Sequence, residues 1–159
     1  MSKKLKTNAL RLLDRDHIPY EIKEYEYDED HLSGEHVLSQ IDMNESDVYK
    51  TLVLYSDEGY LVCCIPVLAS IDLKKLARCA KVKKVEMIPM KDLLKVTGYI
   101  RGGCSPVGMK KRYPVYFDVS ATEDRPIALS AGKRGCQMIV SSKQLVEYLD
   151  ASLVDVCVE

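Results

Sequence analysis

Apolar runs in this 159-residue chain are short. None reaches the roughly 18–20 residues that a membrane-crossing helix needs, so a helical integral membrane protein is excluded. The basic start, Met1-Ser-Lys-Lys-Leu-Lys-Thr7, is followed by no apolar signal core, and the expectation is a cytoplasmic protein with no membrane partner. Neither G-x-x-x-x-G-K-[ST] nor a strand followed by G-x-G-x-x-G occurs, which removes the two common phosphate loops. The three histidines, His17, His31 and His36, form no H-E-x-x-H and no H-x-E with a C-x-x-C partner, so no zinc motif is present. The six cysteines, at 63, 64, 79, 104, 136 and 157, contain no C-x-x-C and sit in no small secreted scaffold. Most lie among aliphatic residues, as in Leu61-Val-Cys-Cys-Ile65, where a thiol behaves as a small buried hydrophobe. They read as reduced. With no repeat, linker or low-complexity tract, and with 47% hydrophobic and 30% charged residues, residues 1–159 fit one soluble domain with a full core.

What is there begins with charge. A net charge of −1 conceals a segregation: 21–47 carries ten acidic residues against Lys23, and 74–112 carries twelve basic residues against Glu86 and Asp92. Each cluster reads either as a solvated surface or as the footprint of a polyanion, RNA first among them. The modest overall basicity argues against a general nucleic-acid coater.

Periodicity predicts an amphipathic helix over 5–14 capped by Ser2 or Thr7, a strand over 18–27, and a short helix from Ser33 to Ile41. Strands at 48–55 and 60–66 flank the hairpin turn Ser56-Asp57-Glu58-Gly59. Asp72 caps a helix that turns Leu73, Leu76 and Ala77 inward. A strand at 82–88, a helix at 90–96 and strands at 115–119, 127–130 and 137–140 follow. Ser142 caps a helix to Leu149, and 153–158 closes the fold. Helices and strands mix without βαβ alternation. The expected class is α+β, one domain with a curved mixed, largely antiparallel sheet flanked by helices.

Lys50 stands out within Val48-Tyr-Lys-Thr-Leu-Val-Leu-Tyr55. An ammonium in such a strand must snorkel to water, pair with an anion or line a cavity. Read alone, a lysine on the solvent face of an edge strand explains it equally well. Two glycine segments, Gly98–Pro106 and Ser130–Gly135, can bring backbone close to a ligand or can be ordinary turns. Together the three segments point to an anion-binding cavity and no further.

The series Val48-Tyr-Lys-Thr-Leu52, Asp72-Leu-Lys-Lys75, Lys83-Lys-Val-Glu-Met87, Thr97-Gly-Tyr-Ile-Arg-Gly-Gly-Cys-Ser-Pro-Val-Gly108, Lys110-Lys-Arg112 and Ser130-Ala-Gly-Lys-Arg-Gly135 resembles the YbaK/EbsC family. Those proteins are trans-acting aminoacyl-tRNA deacylases, relatives of the editing domain of bacterial prolyl-tRNA synthetase. The resemblance runs from the first helix to the last, in order and without a large insertion. It implies catalytic roles for Lys50, for Gly103, whose backbone faces the aminoacyl carbonyl, and for Ser130. It implies a substrate pocket shaped by Tyr25, Thr51, Gly102, Ser105, Gly132 and Gln137. One departure is Gln137, where family members often carry an acidic residue.

The resemblance further implies Cys-tRNA(Pro) as substrate and the substrate's own thiol as attacking group, with no enzyme nucleophile, metal or cofactor. Such a pocket cannot strongly exclude other small residues, because one methylene is worth only about 1–3 kcal/mol. Ala-tRNA(Pro) is the nearest alternative. The expected partners are aminoacyl-tRNA, chiefly tRNA(Pro), and prolyl-tRNA synthetase. A competing idea makes Cys104 a covalent nucleophile, but a small packing residue is favoured there. Lys110-Lys111-Arg112 and Lys133-Arg134 read as phosphate contacts or as solvated turns. A non-catalytic module for the aminoacyl-adenosine end of tRNA is the second functional reading, and a surface-linked regulator the last.

Overall fold

The computed structural model describes residues 6–159. Ser2 and Leu5, the first candidate cap and the first predicted helical residue, lie outside the described residues. Thr7 is the cap of α1 (Asn8–Arg15), its Oγ1 accepting from Leu10 N at 3.2 Å and so satisfying one of the helix's free amides. The chain continues through β1 (Glu21–Glu24), α2 (Gly34–Gln40), β2 (Tyr49–Ser56), β3 (Gly59–Pro66), α3 (Leu73–Ala80), β4 (Glu86–Met87), α4 (Leu93–Thr97), β5 (Val115–Asp118), β6 (Pro126–Ser130), β7 (Cys136–Ser141), α5 (Ser142–Tyr148) and β8 (Ser152–Val154). Short 3-10 turns at Glu45–Asp47, Met90–Asp92 and Val119–Ala121 join them.

The strands form two sheets, β1-β7-β6 and β4-β2-β3-β5-β8. The first is antiparallel throughout; the second is antiparallel at β4-β2-β3 and parallel at β3-β5-β8. The expected mixed, largely antiparallel α+β domain is found, with its sheet parted in two. A parallel bridge, Val48 to Ala128, stitches the parts together.

Alternation along the strands builds the two larger cores, with smaller clusters around Val48 and Val53. Tyr49, Val62, Cys64 and Phe117 face Ile127, Leu129, Met138 and Val140 of the smaller sheet, with α1 (Ala9, Leu10, Leu13) and Leu145 of α5 closing that layer. On the reverse face Leu54, Leu61, Cys63 and Ile65 pack on Leu76 and Ala77 of α3 and on Val156. Neighbouring Cys63 and Cys64 therefore enter different cores as free, buried thiols. Burial pushes the Cys63 thiol up to about 12, in keeping with a packing role.

Several predicted elements differ in extent. The strand over 18–27 shrinks to Glu21–Glu24, because Ile18 N closes the end of α1 on Leu13 O and Pro19 has no amide to give a ladder. The strand over 82–88 shrinks to Glu86–Met87. Lys81 is left-handed (φ 60°), and Val82 N turns back to Ala77 O, so only the tip of the segment reaches β2. The helix over 90–96 is a 3-10 turn followed by α4. Ser141, not Ser142, caps α5: its Oγ accepts from Gln144 N, while the buried Ser142 hydroxyl donates to Glu123 O and accepts from Arg125 N. The closing segment over 153–158 becomes β8, beside β5, and a bridge from Cys157 to Ile71.

Candidate functional site

The place where the sheets part follows from hydrogen-bond parity. Val48 O accepts from Val67 N (2.8 Å), so even-numbered residues of β2 bond toward β3; Val53 O accepts from Ile88 N (3.2 Å), so odd-numbered residues bond toward the other edge. That edge meets β6 at Val48 and β4 at Leu54 and Tyr55. Between those contacts the Thr51 amide and carbonyl face a gap. A cleft of about 350 Å³ opens there, walled by β2, the start of α2, the 101–104 loop and the ends of β6 and β7. Five predicted residues meet in it: Lys50, Thr51, Gly102, Ser130 and Gln137.

Lys50 is half-buried and leaves β2 on the side of Leu52 and Leu54. Burial lowers its ammonium pKa, with the nearby Cys157 thiol acting the other way. Among the described residues it has no hydrogen-bond or carboxylate partner. Thr51 approaches Cys64 Sγ at 3.7 Å. Ser130 and Gln137 are cross-strand partners at the ends of β6 and β7. Ser130 Oγ accepts from Gly132 N at 3.2 Å, which leaves its O–H free to donate into the cleft. Gln137 is only 4% exposed, and its Oε1 has no hydrogen-bond partner among the described residues. A buried amide oxygen left bare costs about 1–3 kcal/mol, a cost that any donor entering the cleft, water or ligand, would offset.

The remaining predicted residues stand behind the cleft wall. Gly103 N–H donates to Ile100 O at 2.9 Å, closing a turn. Its Cβ position would meet Lys133 Cα at 3.0 Å and Arg134 N at 3.1 Å, so the two glycine loops touch through their backbones. Gly102, half-buried and left-handed at φ +84°, is the glycine of that loop that lines the cleft, and its N–H has no hydrogen-bond acceptor among the described residues. Ser105 is 0% exposed and its Oγ accepts from Val107 N, a turn contact away from the cleft. Gly132 packs against Tyr99 and Thr7 behind Ser130. Tyr25 bonds through its backbone to Gly135 O, sets its ring edge-on to His36, and presents its phenol to the Gln137 side chain; desolvation raises its pKa. It supports Gln137 from outside the cavity. Cys104 does line the cleft, but burial pushes its thiol up to about 12, far from a nucleophilic thiolate at neutral pH.

Sequence reasoning missed the apolar wall and one cation. Leu32, Val37 and Val67 face the cleft, and Arg101 stands exposed at its rim. Gly34 carries a usable signal: it follows the cap Ser33, and its Cβ position would lie 2.0 Å from Val67 Cγ2, so only glycine lets α2 seat against the cleft floor.

Comparison with known proteins gives the chain a family. The sequence model of the "Aminoacyl-tRNA editing domain" matches residues 29–148. An Enterococcus faecalis protein, provisionally named the Cys-tRNA(Pro)/Cys-tRNA(Cys) deacylase EbsC, is 41% identical over 152 residues, covering 95% of this chain and 93% of that one. A crystal structure provisionally described as a trans-editing enzyme for prolyl tRNA synthetase superposes with a TM-score of 0.82 at 18% identity, over 98% of this chain and all of that one. The hypothetical protein APE2540 does so with a TM-score of 0.86 at 17% identity, over 96% and 100% of the two chains. At such identities the structures speak for the fold; the sequence match over three-quarters of the length and the 41% relative together show that this chain belongs to the aminoacyl-tRNA editing-domain family.

Proposed function

We propose that this protein is an aminoacyl-tRNA deacylase that releases cysteine from Cys-tRNA(Pro) in trans. The observation that carries the reading is the set of polar groups in one cleft left without a partner among the described residues: the Gln137 Oε1, the Ser130 O–H, the Gly102 amide and, beside them, Lys50. The name of the Enterococcus relative supports the substrate. A volume of about 350 Å³ lies at the small end of the range for ligand sites, which suits an amino acid with its ester and ribose more than a whole nucleotide.

An aminoacyl ester is already activated, so positioning and charge stabilisation suffice. The substrate thiol gives up its proton, its sulfur bonds to the carbonyl carbon, and the carbon–oxygen ester bond breaks. The ribose oxygen leaves and takes the proton; the product is a cyclic thioester that water later opens. In this chain the Gly102 amide stabilises the oxyanion, Ser130 O–H and Gln137 Oε1 orient the amino acid, and the Lys50 ammonium steadies the ribose-phosphate end. Cys104 stays a neutral thiol throughout. Selection of tRNA(Pro) is shared with prolyl-tRNA synthetase as partner.

Single-turnover deacylation of Cys-tRNA(Pro) and Ala-tRNA(Pro) tests this. Expected are rapid loss of cysteine by wild type, a fall on the order of 10²-fold in Lys50→Ala, and near-wild-type rates in Cys104→Ser. Faster loss of alanine would keep the site and change the substrate. Loss of neither ester above the spontaneous rate would leave a module that only binds the aminoacyl-adenosine end.

A further inference from the structure

The 98–113 segment has two sides. Its 101–104 side lines the cleft, and its 106–113 side lines a second groove of about 330 Å³ against the ends of α1 and α5. Cys104 on the first and Pro106 on the second are two residues apart, a reach of at most about 7 Å. The groove carries Lys110, Lys111 and Arg112 in a row, all exposed. Among the described residues none of the three has an ion-pair partner. Elsewhere some cations are neutralised, Lys75 by Asp155 and Glu159, Lys84 by Glu86, Lys95 by Asp92 and Arg125 by Asp47; what sets the row apart from other unpaired cations is that three consecutive ones line a single groove. Within the groove itself, Arg15 is held by Asp16, which also accepts from Tyr148 O–H at 2.6 Å. The one acid there is thus already spent. Tyr113 and Tyr148 add flat aromatic walls.

The other basic pair of the glycine loops does not match it. Arg134 Nε is committed to Arg101 O at 2.8 Å, and Lys133 is partly buried against Gly103. The two arrangements separate a free cationic row from a packed turn.

We propose that the Lys110–Arg112 groove is the docking surface for the sugar-phosphate backbone of the substrate tRNA, holding the RNA body while its 3′ end crosses the loop into the cleft. Unpaired cations in a row give phosphate affinity through counterion release, and aromatic walls suit RNA sugars and unstacked bases. The proposal deepens the deacylase reading and rests on it for the identity of the RNA.

The test is equilibrium binding of uncharged tRNA, followed by fluorescence anisotropy across salt concentration. Three proteins are compared: wild type, Lys110→Gln/Lys111→Gln/Arg112→Gln, and Lys81→Gln/Lys83→Gln/Lys84→Gln, which removes the same formal charge outside the groove. Circular dichroism melts confirm that each is folded. The expected result is at least tenfold weaker binding at moderate salt in the groove variant alone. Its log–log salt slope should be shallower by about 2–3, one unit or slightly less per lost phosphate contact. Equal weakening in both variants would reduce the groove to net charge and overturn the proposal. So would an unchanged slope in the groove variant, or no tRNA binding by wild type. The measurement uses no ester, so a failure of deacylation would sink the enzyme reading and leave this comparison standing.

Discussion

A single buried atom gives the sharpest test at the residue scale. Gln137 Oε1 sits in the centre strand of the smaller sheet without a hydrogen-bond partner among the described residues, a state that folding alone does not favour. Groups that cost stability and persist are expected at functional positions. Gln137→Met keeps the volume and removes the bare oxygen. We expect its melting temperature to stay near that of wild type, the lost contact with the Tyr25 phenol offsetting the removal of the bare oxygen, while kcat/KM for Cys-tRNA(Pro) falls roughly 10- to 100-fold, the loss of about 1–3 kcal/mol of ligand hydrogen bonding. A thermal melt beside single-turnover deacylation decides it: a variant that loses stability and keeps activity makes Gln137 a structural residue. Gln137→Glu, which keeps an acceptor oxygen where the amide oxygen stands, is expected to retain activity. The sequence singled out this position only through family resemblance. Nothing in the local pattern Gly-Cys-Gln-Met-Ile says that the amide oxygen would be orphaned, because that depends on β1 and β6 flanking the residue from distant parts of the chain.

At the scale of the element, the two glycine loops hold one another in place. Adding a methyl group at Gly103 would press on backbone atoms of Lys133 and Arg134 at 3.0–3.1 Å, and backbone cannot rotate away. Gly103→Ala is therefore expected to lift the 101–104 loop from its partner, costing about 1–3 kcal/mol of stability and moving the Gly102 amide off the cleft. Gly59 offers the contrast. It turns the β2–β3 hairpin at φ +119° with nothing within 4 Å of its Cβ position. Gly59→Ala should lose stability through backbone strain, roughly 1 kcal/mol, with no change in deacylation. Urea titrations and deacylation rates of both variants check the pair; equal activity losses would mean that the rates follow stability alone. The same contrast marks what the sequence made legible. Hairpin strands, caps at Thr7, Ser33 and Asp72, and the paired loops are written in local pattern. The division of labour between Gly102 and Gly103 is not, because it turns on the Gly103 N–H being taken by Ile100 O. The strand ends were misjudged where Pro19 and left-handed Lys81 cut short what apolar alternation extended.

The whole molecule depends on joining two sheets that share, among the described residues, a single bridge, and polar side chains do much of the joining. Arg125, at the entrance to β6, reaches Asp47 Oδ1 at 2.6 Å, Ser46 O at 3.0 Å, Ser120 O at 2.7 Å and the Tyr49 hydroxyl at 3.1 Å, and so ties β6 to the start of β2. Asp118, at the end of β5, works inside the larger sheet, where β5 meets β8 and the segment that follows it. It is 7% exposed, its Oδ2 accepts from Ser120 N at 3.0 Å, and the Cys157 side chain and Val156 backbone of the C-terminal segment lie where they favour its charged form. Burial acts to raise its pKa, but those hydrogen bonds to the charged form outweigh it and hold the carboxyl below the ordinary range. A depressed folded pKa contributes stability that is fully present above the unfolded value of about 3.9 and is lost as pH falls through the folded value. Acid should therefore loosen the C-terminal segment from β5 in the window below about pH 4, not near neutrality. Asp118→Asn lacks that charge in both states. Its unfolding midpoint should be lower than that of wild type at pH 7, and the gap should narrow as the pH drops below about 4. Urea unfolding followed from neutral pH down to about pH 2.5, through that window, reads this directly. Parallel curves for the two proteins would mean that Asp118 packs as a neutral group would, and that other carboxylates carry the acid sensitivity.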